Sequence, residues 1–169
     1  ADALFVPTEE IGAELSDIVP KLPPATVIPN PVVDRIDFCR PRERTADAPL
    51  RLVSAGRLVP AKAFDILIDA CALLRDRGLA FSLIIHGEGP EEAPLRARIA
   101  SLGLSHEVRL AGHAADLSQR LAEADLFVLA SRREGFGNVL VEAMAAGTPV
   151  LAAASDGPRG LIENGRTGC

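Results

Sequence analysis

Glu134 and Glu142 stand eight positions apart on either side of Gly135-Phe136-Gly137-Asn138-Val139, a spacing that offers two carboxylates and a row of backbone N–H groups to one ligand. Gly135 and Gly137 let the backbone approach a ligand closely, and a helix starting just after them leaves the N–H groups of residues 136–139 free for phosphate or sugar oxygens. Paired carboxylates also raise the acid and base of glycoside hydrolysis. A continuous helix, however, would place them about 12 Å apart, outside the roughly 5 to 9.5 Å that such chemistry uses. Binding roles fit better. Taken singly, Glu134 also reads as a loop charge and Glu142 as a carboxylate favoured near the positive end of a helix.

Arg57 and Lys62 form a second set, just after an apolar run and just before the helical pattern that begins near Phe64. A diphosphate is well met by a planar donor fork together with a point charge, and a helix N-terminus adds about 0.3 to 1 kcal/mol of favourable field. Standing alone, the two cations read equally as solvated loop charges. Gly87-Glu88-Gly89-Pro90 also follows an apolar run, but Glu92 stands where a dinucleotide fingerprint needs its third glycine. The next run ends in Gly112-His113 with no acidic ribose ligand, so a nicotinamide dinucleotide is disfavoured. His86, His106 and His113 have no metal-ligand spacing and read as loop histidines, His113 lying at a strand end that faces the predicted crevice.

These groups must be carried by alternating elements. Apolar runs predict strands at 3–6, 26–28, 50–54, 81–85, 108–110, 126–130 and 149–153. Phe64, Leu67, Ile68, Cys71 and Leu74 recur at helical spacing, as do Leu95, Ile99 and Leu102. Gly78, Gly103 and Gly147 followed by Pro149 mark helix ends, and the charged, proline-flanked stretch 41–49 reads as a loop leading into the main domain. Alternation of strand and helix predicts a parallel sheet with helices on both faces, whose ligands lie beyond the carboxyl ends of the strands.

Length and composition set the outer limits. A chain of 169 residues with 48% hydrophobic content can bury one real core. It contains no apolar run near the roughly 18 to 20 residues of a membrane span and no signal-peptide layout at its start, so a soluble, cytoplasmic protein is expected, peripheral to a membrane at most. A formal charge of −5 argues against a nucleic-acid partner. Cys39, Cys71 and Cys169 are odd in number and widely spaced, which fits inert thiols in a reducing compartment and neither a disulfide framework nor a metal site.

The ordered set Gly56-Arg57-Leu58-Val59-Pro60-Ala61-Lys62, Gly87-Glu88-Gly89-Pro90, Glu134 through Pro149-Val150, and Asp156-Gly157-Pro158-Arg159 to Gly168 resembles the donor-binding, C-terminal half of a family-four glycosyltransferase of the GT-B fold. Pro29-Asn30-Pro31 is similar to the segment that leads into that half. The resemblance implies an α/β, Rossmann-like parallel sheet forming one half of a GT-B fold, over residues 29–169. It identifies 1–28 as the last strand and helix of an N-terminal acceptor half. It also implies a retaining, hexosyltransferase-type reaction with a nucleotide diphosphate sugar as donor and no cofactor or metal.

By the same resemblance Arg57 and Lys62 hold the donor diphosphate, Glu142 holds the ribose hydroxyls and Glu134 lies near the transferred sugar. Gly56 and residues Gly135, Phe136, Gly137, Asn138 and Val139 approach sugar and phosphate, and His113 lies where the base rests. Arg57, Lys62 and Glu134 would serve the chemistry, with the cations and a helix end opposing the charge that builds on the departing diphosphate. Two departures stand out. Ala63 replaces the glycine usual after the lysine, which would narrow the backbone's approach to phosphate, and only one of two Rossmann-like halves is present. The chain is therefore expected to be an incomplete donor domain that binds nucleotide sugar with little or no transfer, with an unknown acceptor and a tendency to self-associate through its incomplete edges. A nucleotide-sugar epimerase of GT-B architecture and a non-catalytic nucleotide-binding α/β module remain the alternatives.

Overall fold

The computed structural model describes residues 3–19, 21–33, 45 and 48–169. Cys39 and most of the 41–49 loop lie outside the described residues. In chain order the elements are β1 (Leu4–Val6), α1 (Glu9–Ile18), β2 (Ala25–Val27), β3 (Leu50–Ala55), a 3-10 turn (Pro60–Lys62), α2 (Phe64–Asp76), β4 (Phe81–His86), α3 (Glu92–Ser101), β5 (Val108–Gly112), α4 (Leu117–Ala122), β6 (Leu126–Leu129), α5 (Asn138–Ala145), β7 (Val150–Ala152) and α6 (Asp156–Leu161). Each strand expected from the apolar runs is present, with ends displaced by no more than two residues. α4 and α6 were not expected. Each has only six residues, too few for a period to show, and α6 carries two glycines and a proline. Pro158 fits because it sits in the first turn, where its missing N–H would have no helical partner.

The five-stranded sheet has the order β5-β4-β3-β6-β7, and every neighbouring pair is parallel. The chain enters at the central strand β3, steps outward to β4 and β5, then crosses back so that β6 pairs with the other side of β3. Strand order therefore reverses between β3 and β6. The crossover loops diverge there and open a crevice at the carboxyl ends.

Side-chain alternation along each strand divides the core into two. Leu52 of β3, with Leu83 and Ile85 of β4, faces Leu67, Ile68 and Cys71 of α2 and Leu95 and Ile99 of α3. Val53 and Ala55 of β3, with Phe127 and Leu129 of β6, face Leu121 of α4 and Leu140 and Ala143 of α5. Strands covered on both faces need apolar residues at consecutive positions, which is why the runs were legible. Cys71 sits wholly inside the first cluster, and burial pushes its thiol up to about 11, far from a reactive thiolate.

β1 and β2 pair in parallel as a separate two-stranded sheet. Thr8 starts α1 by accepting the Ile11 N–H on Oγ1 at 3.3 Å, a side-chain cap of the usual kind. Gly12 lets α1 approach β2, since a Cβ there would lie 3.1 Å from that of Ala25. Among the described residues, no helix is long and apolar enough to cross a membrane.

Phe127 is fully buried between β6 and α5, whereas Phe5 is 62% exposed. Phe127→Ala should lower unfolding free energy by about 3 to 5 kcal/mol, and Phe5→Ala should change it by no more than about 0.5 kcal/mol. Urea titrations measure both. Equal effects would contradict the doubly covered sheet.

Candidate functional site

The loops after β3 and β4 run side by side beyond the sheet. Gly56 N–H donates to the His86 carbonyl and Leu58 N–H to the Glu88 carbonyl, each at 2.9 Å. A Cβ on Gly87 would lie 1.9 Å from the Gly56 oxygen, and one on Gly89 would lie 2.4 Å from the Leu58 oxygen. The Gly-x-Gly at 87–89 is thus required by chain packing against chain.

The 3-10 turn then delivers Lys62 and ends at Ala63, whose φ of 53° and ψ of 37° are left-handed. That geometry favours glycine, which explains the expected glycine through backbone conformation. The Ala63 methyl is buried in the protein, so it does not narrow the approach to the crevice as the sequence suggested.

Across the point where strand order reverses, the loop after β6 is fastened to this turn. Arg132 N–H donates to the Ala61 carbonyl at 2.9 Å, and its guanidinium donates to the Pro60 carbonyl at 2.7 Å and to Asp65 at 2.8 and 3.2 Å. Hydrogen bonding between them raises the Arg132 pKa and lowers that of Asp65. With Arg132 committed in this way, Lys62 Nζ is left facing Glu134 Oε2 in a direct ion pair. The Ser131 hydroxyl donates to the same carboxylate oxygen at 3.3 Å. Both charged side chains are largely sheltered, at 22% and 14% exposure.

The glycine-rich segment beyond Glu134 is held from behind. Gly157 N–H donates to the Glu134 carbonyl at 2.8 Å, and a Cβ on Gly157 would lie 2.6 Å from the Phe136 oxygen. Gly137, with a φ of 93°, turns the chain into α5, which begins with no side-chain cap. Its first-turn N–H groups therefore point outward as a partial positive charge.

Two adjoining cavities occupy this rim. One, of about 400 Å³, is bounded by Lys62, Glu134, Gly135, Phe136, Gly137, Asn138 and Val139, with Leu129 at its floor and Pro7, Ile11 and Asn30 closing it from the N-terminal segment. The other, of about 340 Å³, is bounded by Ala55, Gly56, Arg57, His86, Gly87, Glu88, His113, Ala114 and Leu117, and shares Val139 with the first. Every residue singled out from sequence borders one of the two except Glu142. That carboxylate lies further along α5, half-buried, and burial raises its pKa.

His86, Ile11 and Asn30 are among the cavity-lining positions that were not read from the sequence as site residues. His86 is the last residue of β4 and 8% exposed, so it is no loop histidine. Its place at a strand's carboxyl end, beside Gly87, was the available signal. Ile11 and Asn30 arrive through the path of α1 and β2, with Asn30 Nδ2 donating to Asn138 Oδ1 at 3.1 Å. Nothing local in the sequence announces that contact.

The family profile described as "Glycosyl transferases group 1" matches residues 36–169. Over 136 residues the chain is 40% identical to the lipopolysaccharide core biosynthesis glycosyltransferase LpsE of Rhizobium meliloti, a match covering 80% of this chain and 37% of LpsE. It is 38% identical over 125 residues to the mannosylfructose-phosphate synthase of Agrobacterium fabrum, covering 68% of this chain and 28% of the synthase. Among solved structures, Anabaena Alr3699/HepE in complex with UDP and glucose superposes with a TM-score of 0.86 at 28% identity, covering 99% of this chain and 48% of that one. The pneumococcal O-GlcNAc transferase GtfA in complex with UDP and GlcNAc gives 0.81 at 26% identity, covering 98% and 33%. The chain thus spans between about a quarter and a half of the length of these relatives.

Because burial raises the Glu142 pKa, the ionised carboxylate opposes folding at neutral pH. Glu142→Gln should raise the urea midpoint at pH 7. The gain should fade as the pH falls through the raised native pKa, where the wild-type carboxyl takes up its proton, and level off below the unfolded value of about 4.3. A gain that grows on acidification would reverse the sign of this assignment.

Proposed function

The chain belongs to the group 1 glycosyl transferases, and on that premise we propose that it is the donor-binding part of a retaining, GT-B glycosyltransferase whose donor is a nucleotide diphosphate sugar. The observation that carries this reading is the Lys62–Glu134 pair, set between two connected cavities at the mouth of β3 and β6. In it the sugar occupies the cavity beside Glu134 and the uncapped start of α5. The nucleoside occupies the cavity beside Arg57 and His113, with the ribose reaching toward Glu142. The solved relatives crystallised with UDP make a uridine donor the first to test.

Lys62 suits the diphosphate because an ammonium has three donors. One N–H serves Glu134 and two remain for phosphate oxygens, so ligand binding need not break the pair. Fixed beforehand, Lys62 and the start of α5 would stabilise charge gathering on the diphosphate as the sugar–oxygen bond breaks, and Arg57 would add a planar fork. Glu134 is poorly suited to covalent attack, because its carboxylate is already engaged by Lys62 and Ser131. Its better role is to hold hydroxyls of the transferred sugar. With covalent attack set aside, the retaining reading requires the acceptor to enter on the departing face, so that anomeric configuration is kept.

Residues 1–28 are assigned to an acceptor half in this reading, and the exposed apolar side chains Phe5, Ile18 and Ile28 to a face it would cover. The chain by itself then binds donor without appreciable turnover. Calorimetric titration with UDP, UDP-sugars and uridine tests the binding. Lys62→Ala and Arg57→Ala should each weaken UDP binding by about 10- to 100-fold, the equivalent of one charge-assisted hydrogen bond, and leave uridine binding nearly unchanged. Equal losses for both ligands would remove the diphosphate role. Efficient transfer by the isolated chain would contradict the binding-only assignment, and release of free epimerised sugar would point to an epimerase.

A further inference from the structure

His86 lines the second cavity with both ring nitrogens buried and, among the described residues, without a hydrogen-bond partner. Buried polar atoms are nearly always paired, and an orphaned pair on one side chain calls for an explanation. The neighbouring Gly112 backbone lies close enough to the ring to raise its pKa, but no hydrogen bond of full geometry joins them. Alternation along β4 turns Leu83 and Ile85 into the α2 and α3 core and His86 to the opposite face. There it stands between the ends of β3 and β5, beside Ala55 and Ala114. The side chain is almost wholly enclosed by protein and borders the cavity.

The ring's chemistry narrows what can complete it. Burial, followed by the fields of Arg120 and Arg109, lowers its pKa against the weaker opposing influences of Asp116 and the Gly112 backbone, so the imidazole is neutral near pH 7. A neutral imidazole presents one donor and one acceptor. Phosphate, which only accepts at that pH and is better met by cations, does not satisfy both. A nucleobase edge carries a donor and an acceptor side by side. Position agrees: from β6 across β3 to β4 is two strand spacings, about 10 Å, which sets His86 apart from the sugar cavity along the line a nucleotide sugar would follow.

We infer that His86 is a specificity-determining residue, hydrogen-bonding through its imidazole to the edge of the donor's nucleobase. The inference rests on the donor-site reading given above and goes beyond it in assigning base selection to one side chain. A site built to pair a ligand's polar groups rejects analogues that leave those groups unpaired.

The test is titration of the wild-type chain and His86→Phe with UDP, CDP, ADP and GDP, and with inorganic pyrophosphate as a probe lacking any base. The wild type should prefer one base by at least about tenfold, the equivalent of one hydrogen bond. His86→Phe should compress that preference to within about threefold and leave pyrophosphate affinity unchanged, which also reports that the phosphate cradle is folded. His86→Leu stands in if the larger ring overpacks the site. His86→Gln, which keeps a donor and an acceptor, should retain discrimination. Undiminished base preference in both apolar variants would overturn the role of His86 while leaving the donor site standing. Failure of every nucleoside diphosphate to bind the wild type would overturn both.

Discussion

The ion pair of Lys62 with Glu134 joins the chain across the crevice that opens beyond β3 and β6, where strand order reverses. Lys62 rides on the turn after β3 and Glu134 on the loop after β6, two segments that no backbone ladder connects at this level. A half-sheltered pair contributes only when its remaining hydrogen-bonding capacity is met. Ser131 meets part of it on the carboxylate side, while Arg132 holds the two loops at contact distance by gripping Pro60, Ala61 and Asp65. Two cations therefore divide the work. The outer one is spent on structure, and the inner one is presented to the crevice already oriented and charged.

Around this pair the chain departs from local rules repeatedly within a small region. Ala63 is held left-handed, α5 begins uncapped, Glu142 is ionisable and half-buried, and His86 keeps two orphaned nitrogens. Departures of these kinds cost about 1 to 3 kcal/mol each. Elsewhere such rules are both kept and broken. Thr8 caps α1 and the buried Thr148 hydroxyl donates to the Leu121 carbonyl at 2.7 Å, whereas Lys21 is also left-handed and a Glu107 carboxylate oxygen is buried without a partner among the described residues. Unsatisfied groups at the carboxyl edge suit a ligand site, since groups satisfied within the protein have nothing left to offer. The glycines behave differently. Gly87, Gly89 and Gly157 serve close packing of backbone on backbone and so hold the loops that border the cavities.

The architecture was legible because burial on both faces leaves a plain imprint. Runs such as Leu126 to Leu129 are apolar at every position, and α2 repeats its buried residues at helical spacing. α4 and α6 left no such imprint, being a turn and a half long. The residues that carry charge or free the backbone were likewise readable, because Arg57, Lys62, Glu134 and the 135–139 segment sit at strand ends. In an open parallel sheet those ends converge.

Residue types and order along the chain were thus enough to specify a parallel α/β sheet and to single out its carboxyl edge as the proposed donor site. They did not reveal that Lys62 pairs with Glu134 while Arg132 serves structure, since those partners lie 72 and 67 positions apart and the choice among three neighbouring arginines and lysines depends on loop geometry. Nor did they reveal Asn30 and Ile11 at the first cavity or the enclosure of His86. Pattern along a chain records which face of an element is buried. Which side chains meet across a gap depends on the packing of several elements at once, and that is settled only when the sheet has closed its register and the loops have nowhere else to go.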